Sequence, residues 1–217
     1  MTSENLKNPS IKIAPDPMVG IDAAIEPIRA SLATLPWLQK AFGRAWTKPR
    51  VLGGKTVLEP LLYQGSGEYY PALPNDALKA YSFFRVGSPR SLDNFEQNLN
   101  IGGQFMFTDP VDLIVWVDLK AINRDMDWIF TESLISDVLK KLNRAIGFKV
   151  TKVFDDKVDD VFTGYDLREV SQNLLLYPYK GFRISADLTY EFQCGLPVQG
   201  GIITEGDETN PSGFILR

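Results

Sequence analysis

From residue 181 to residue 192 the chain alternates without interruption. Phe182, Ile184, Ala186, Leu188, Tyr190 and Phe192 are apolar, and Arg183, Ser185, Asp187, Thr189 and Glu191 between them are polar. A period of two specifies a β-strand with one face on a core and the other in polar surroundings. At ~3.3 Å per residue such a strand would span roughly 40 Å, about twice an ordinary one. That length suits a sheet that continues past a compact core, into a partner or around a ring. A second run, Val111, Val115, Val117 and their neighbours Leu113 and Leu119, makes an all-apolar strand face, while Asp112, Ile114, Trp116 and Asp118 make a mixed one. Shorter runs predict strands at 57–63, 80–86 and 148–154. The first reads as an edge strand, because Pro60 cannot donate to a ladder. Residues 173–177 read as a strand joined to the last one by the turn residues Pro178-Tyr179-Lys180-Gly181.

Helical spacing is confined to two places. Ile21, Ile25, Ile28, Leu32 and Leu35 step by three and four, which puts them on one face. Pro27 is expected near the first turn of this helix, and Pro36 divides it from a second helix over 37–46. The strongest helix is predicted over 127–146, with Ile135, Val138 and Leu142 as its stripe and Leu134 and Leu139 beside it. Asp127 would be its N-cap, Lys140, Lys141 and Arg144 suit its C-terminal dipole, and Gly147 would stop it. Residues 64–74 and 88–107 read as loops. The order implies an α+β fold, a mostly antiparallel sheet with two or three helices packed on one face.

The ends differ from this middle. Residues 1–20 carry Pro9, Pro15 and Pro17 without a sustained period, and 195–217 are rich in Gly, Pro, Thr and acids before closing on Phe214, Ile215 and Leu216. The expected organisation is an extended N-terminal arm (1–20), one α+β domain (21–194) and an extended C-terminal arm (195–217). Two readings of the arms stand. They fray, or their apolar residues, among them Ile202, Ile203, Phe214, Ile215 and Leu216, are pinned on neighbouring subunits.

Composition narrows the function classes. In 217 residues the chain is 44% hydrophobic and 12% aromatic, enough for one sizeable core. The formal net charge of -4 argues against a generic polyanion binder. A polar opening gives no signal-peptide core, and no segment approaches the ~18 apolar residues of a membrane helix, so the expectation is a soluble protein made in a cytoplasm. The single Cys194 cannot form an internal disulfide.

Chemistry is scarce. There is no histidine, which removes Ser-His-Asp and Cys-His catalysis. Gly54-Lys55-Thr56 lacks the glycine that a phosphate loop needs five residues earlier, where Pro49 stands, and opens a predicted strand rather than a helix. Asp155, Asp156, Asp159 and Asp160 crowd together, but without the alternate spacing, mid-loop glycine and closing Glu of a calcium loop. They read as a solvated loop. Carboxylate-only catalysis stays open in principle, with no paired acids in a recognisable context. No catalytic, metal or cofactor residue is expected, and an enzyme of unrecognised type remains only as an alternative.

Charge placement says more than net charge. Between Pro27 and Leu58 lie Arg29, Lys40, Arg44, Lys48, Arg50 and Lys55 and no acid; between Asp155 and Glu169 lie six acids against Lys157 and Arg168. Three readings stand. The stretches are ordinary solvated surface, or the two halves of a head-to-tail contact between copies, or the basic one, with Trp37 and Trp46, contacts nucleic acid through its 44–55 region. The candidate interface residues are Arg44, Lys48 and Arg50 against Asp155, Asp156, Asp159 and Asp160, together with the five apolar residues of the C-terminal arm.

Three stretches carry a family resemblance: Leu35-Pro36-Trp37-Leu38-Gln39-Lys40-Ala41-Phe42-Gly43-Arg44-Ala45-Trp46, the strand over 111–119, and Leu176-Tyr177-Pro178-Tyr179-Lys180-Gly181-Phe182-Arg183-Ile184. In this layout the chain resembles the tail-terminator and tail-completion proteins of tailed bacteriophages, and is similar to the neck ring proteins of crAss-like phages. The resemblance covers roughly residues 21–193 and includes no catalytic or binding motif. It implies a virion protein, made in the host cytoplasm, that forms a hexameric or dodecameric ring between portal and tail. Its partners would be itself and other neck, portal or tail proteins. DNA would pass through the channel without sequence-specific binding, and no membrane or cofactor would be involved.

Overall fold

The computed structural model describes residues 18–52, 54–65, 68–72, 78–88, 91–93, 104–126, 128–167 and 174–193. Residues 1–17 of the expected N-terminal arm, the whole C-terminal arm, Asp127 and Cys194 lie outside them, and residue 20 is already helical. In chain order the elements are α1 (Gly20–Leu32), β1 (Lys40–Arg44), β2 (Trp46–Leu52), β3 (Lys55–Gly65), β4 (Glu68–Pro71), β5 (Ala80–Val86), β6 (Ser91–Asp93), β7 (Gln104–Asp118), α2 (Leu119–Ile122), α3 (Thr131–Leu142), β8 (Phe148–Phe154), α4 (Val158–Val161) and β9 (Tyr179–Gln193). The fold is α+β, dominated by antiparallel pairing.

The two long alternating runs are partners. β7 and β9 pair antiparallel in unbroken register over their full lengths, from Gln104 opposite Gln193 to Asp118 opposite Tyr179. The large sheet is ordered β1-β5-β7-β9-β8, with β6 beside the outer half of β7. Only the β1–β5 pair in this path is parallel. Val111, Leu113, Val115 and Val117 of β7 and Phe182, Ile184, Ala186 and Leu188 of β9 form one buried face, covered by Ile25, Ile28 and Leu32 of α1 and Leu134, Ile135 and Val138 of α3. Burying each such side chain is worth about 1.5–3 kcal/mol.

The mixed face of β7 is buried as well. Ile114 and Trp116 join Tyr81, Phe83, Phe42, Leu62, Val161 and Phe162 in a second cluster on the opposite side of the sheet. Its polar edges are satisfied in place: the Trp116 indole N–H donates to Leu174 O at 2.9 Å, and the Tyr81 hydroxyl donates to Ala72 O at 2.9 Å. The Trp116 ring stacks on Tyr179 at 5.2 Å and lies 5.5 Å from Tyr81. This cluster lies under a three-stranded sheet, β2-β3-β4, and under α4 and the turns that follow it.

Several expectations are corrected. Residues 37–46 are not a helix; they form a turn and then β1, whose Ala41 and Phe42 bury on opposite faces of the sheet. Two core faces one residue apart is a strand's demand, and Gly43 adds no helical propensity. β3 is not an edge strand but the centre of the small sheet. Pro60 is tolerated there because its carbonyl, accepting from Ala72 N at 2.8 Å, faces the β4 side where that ladder ends. The bond that an N–H at this position would have made, to Ala72 O opposite, is replaced by the one from the Tyr81 hydroxyl at 2.9 Å. Pro27 lies in the interior of α1 rather than in its first turn, and is exposed, so the carbonyl it leaves unpaired faces water. α3 is shorter than predicted, because after Leu142 the chain tightens into turns: Arg144 N donates to Lys141 O and Ala145 N to Leu142 O. Gly147, at φ 75, ends those turns. Part of the expected 88–107 loop is strand, as β6 and the start of β7. Residues 174–178 are turns rather than a strand, and β9 pairs with β7 and β8.

Candidate intersubunit interface

β1 and β8 are the two edges of the large sheet, with three strands between them. At a strand spacing of about 4.8 Å these edges are separated by roughly 19 Å. Lys40 and Arg44 belong to β1. Asp155 and Asp156 follow directly on β8, and Asp159 and Asp160 lie on α4. The fold thus brings Lys40 and Arg44 to one edge of the large sheet and Asp155 and Asp156 to the end of the other, while Lys48 and Arg50 stand on the small sheet and β8 itself carries the exposed Lys149 and Lys152.

The basic side is partly neutralised within the chain. Arg44 Nη2 donates to Asp22 Oδ2 of α1 at 2.9 Å, and the guanidinium lies 5.0 Å from the centre of the Trp46 ring. Arg29 pairs with Glu26 through Nε–H at 2.7 Å and also donates to Ala41 O, which fastens α1 to β1. That pairing holds the Glu26 carboxyl below, and the Arg29 guanidinium above, its ordinary range. These side chains surround a cleft of about 510 Å³ between α1, β1 and β3. Lys40 lies over the Phe42 ring at 4.7 Å, without an ion pair among the described residues. Lys48 is exposed on β2, opposite Glu59 of β3. Arg50 is on the same strand; its side chain lies outside the described ones. Trp46 is half exposed, whereas Trp37 is packed against the helical core, so only the first could stack on a base.

The acidic side is rooted by a network that the sequence reading missed. Arg183 Nε donates to Asp160 O at 2.6 Å, and Arg183 Nη1 to Asp112 Oδ1 at 2.9 Å. Arg85 donates to the other oxygen of Asp112 at 2.9 Å, and Ser185 Oγ also donates to Asp112. The Arg183 guanidinium lies 4.0 Å from the centre of the Phe154 ring. The only available signal was opposite charge at polar positions of the two longest strands. Asp156 takes a left-handed conformation, φ 61, which Asp tolerates better than most residues. Asp156 and Asp159 are exposed, while Asp155 and Asp160 are half-buried. Among the described residues no group of three or more acids and cysteines is placed to hold a metal ion.

Beside them, Tyr165 packs edge-on to Phe83 with its hydroxyl buried and without a hydrogen-bond partner among the described residues. Burial pushes its phenol well above the ordinary range, as it does that of Tyr81. Ile202, Ile203, Phe214, Ile215 and Leu216 lie outside the described residues. No helix among the described residues is long and apolar enough to cross a membrane. No family model matches the chain, and no curated protein matches it.

Proposed function

We propose that the chain is a structural subunit of a phage neck or tail-joining ring, assembled head to tail from copies of itself and contacting portal or tail proteins. The observation that supports this most directly is that the cations of β1 and the acids that follow β8 stand at opposite edges of one sheet. A heterologous contact needs two different, complementary surfaces on one subunit, and repeating it closes a ring. Strand direction is compatible as well. β8 runs antiparallel to β9, β9 to β7 and β7 to β5, and β1 runs parallel to β5, so β8 and β1 are antiparallel. The edge strand of one copy thus has the right sense to extend the sheet of the next. A hexamer or dodecamer with a channel that passes DNA without gripping it agrees with the net acidity.

The test is imaging and mass measurement of the purified protein at low and high salt. Closed rings of fixed copy number are expected, with DNA affinity no tighter than the ~10⁻⁴–10⁻⁶ M of non-specific binders. A persistent monomer would overturn the reading. A monomer that binds one DNA sequence at submicromolar concentration would instead favour the nucleic-acid module, with Trp46 as its stacking surface.

A further inference from the structure

On the helical side of the large sheet, a groove of about 560 Å³ runs between α1, the end of α3 and the outer ends of β7 and β9. Its size falls within the roughly 300–1,000 Å³ of sites that hold ligands or peptide side chains. One wall is a helical stripe of α1, Ala24, Pro27, Ile28 and Ser31, at steps of three and four. Tyr190 of β9 contributes to the lining, and Ile146 stands on the rim, 98% exposed. Ile146 thus extends the apolar lining of the groove to its mouth. The remaining rim carries the cations Lys141, which donates to Thr34 Oγ1 at 2.7 Å, and Arg144, which has no side-chain hydrogen bond or ion pair among the described residues, with the acid Glu191 beside them.

We infer that this groove seats Phe214, Ile215 and Leu216 of the same chain. Three observations converge on that occupant. β9 lines the groove with Thr189, Tyr190 and Glu191 and ends two residues later at Gln193, so the chain leaves the sheet at the groove's mouth. The segment beyond carries Glu205, Asp207 and Glu208 and no basic residue before Arg217, which complements Lys141 and Arg144. It then presents Phe214, Ile215 and Leu216, the apolar side chains that the Ile146 and Pro27 walls lack. Twenty residues, 194–213, intervene. A coil of twenty residues has a root-mean-square span of roughly 25 Å, a length at which docking within one chain is favoured by a millimolar effective concentration. The docking does not depend on ring formation. It assigns the apolar triplet a seat inside the subunit rather than on a neighbour.

Cross-linking in the full-length chain tests it. With Cys194→Ser removing the native thiol, Ile146→Cys is combined with Phe214→Cys, and Val51→Cys, exposed on the outer strand of the small sheet, replaces Ile146→Cys as the control. Ile146 and Val51 are both exposed, so neither substitution disturbs a core. The expected result is an intrachain disulfide from the 146–214 pair, forming at least tenfold faster than from the 51–214 pair. Reversing both cations, Lys141→Glu with Arg144→Glu, should slow it about fivefold at low salt, as two exposed ion pairs allow. Equal rates for the two pairs, a cross-link found only between chains, or a rate indifferent to charge reversal would each overturn the assignment.

Discussion

Removing Asp112 should destabilise the protein more than removing Arg183, although the two form a single ion pair. Asp112 accepts from Arg183 at 2.9 Å, from Arg85 at 2.9 Å and from Ser185. The side chains of Arg183 and Asp112 are 10% and 13% exposed, so screening by water is slight. Breaking a buried pair costs about 3–5 kcal/mol, because the remaining charge is left uncompensated. In Arg183→Met the carboxylate keeps Arg85 and Ser185, so the loss belongs at the lower end, about 3 kcal/mol. In Asp112→Asn two guanidinium groups face one another across a neutral amide, which puts the loss at the upper end, about 5 kcal/mol. Replacing all three charges together, Arg85→Met, Asp112→Leu and Arg183→Met, removes the unpaired charge and should recover most of the loss. Urea unfolding reads the series directly. With a slope of about 1–3 kcal/mol per molar, a loss of 3 kcal/mol moves the midpoint by roughly 1 M or more. Equal losses in the two single variants, or a triple variant as unstable as Asp112→Asn, would refute the reasoning that uncompensated charge dominates.

Three further outcomes are expected. Tyr165→Phe should leave stability at pH 7 unchanged or raised, since the hydroxyl it removes is buried without a hydrogen-bond partner among the described residues. A raised folded pKa gives stability that is present below about pH 10 and lost above it, where the unfolded state ionises first; the variant should therefore flatten the alkaline decline by up to about 1.4 kcal/mol per pH unit, and an unchanged alkaline slope would contradict the burial. Gly147→Ala should lower the melting temperature sharply, because its Cβ would lie 2.2 Å from Thr189 O at a backbone φ of 75, and a neutral result in thermal unfolding would contradict that geometry. Lys40→Glu with Lys48→Glu should weaken ring assembly at low salt, with Asp156→Lys and Asp159→Lys partly restoring it, and normal assembly by mass photometry would remove the charge contact. Arg44 is left out of that design because its reversal would also break the bond to Asp22.

The strands were legible where side chains demanded a period and nothing competed. The 80–86 and 148–154 strands agree with β5 and β8 residue for residue, and the alternation over 181–192 lies within β9. What alternation could not tell was the depth of the polar face. Arg183 occupies a polar position and is nevertheless 8% exposed, because α4 and the turns after it cover that side. Covering depends on residues far away in sequence. The same limit explains residues 37–46, whose mixture of aromatic and basic side chains fits either a helix or a short strand until β5 supplies a parallel partner.

The interface candidates show a second limit, one of charge rather than shape. Six basic residues without an intervening acid read as a patch along the chain, but a patch is a property of space. α1 brings Asp22 to Arg44 and Glu26 to Arg29, so two of the six are answered from within one turn of a single helix. Among the described side chains, the cations that β1 and β2 leave for a partner are Lys40 and Lys48. On the acidic side α4 keeps Asp159 outward while Arg183 holds the backbone of Asp160, a fixed mount for exposed charge on a sheet edge. A contact that relies on two or three exposed charges at each edge contributes little affinity by itself, since exposed pairs are worth about 0–1 kcal/mol each. It sets which edge meets which. The affinity of a ring built this way would have to come from backbone pairing between β8 and β1, so assembly should tolerate moderate salt but fail when a proline is placed at an outward-facing N–H of β8.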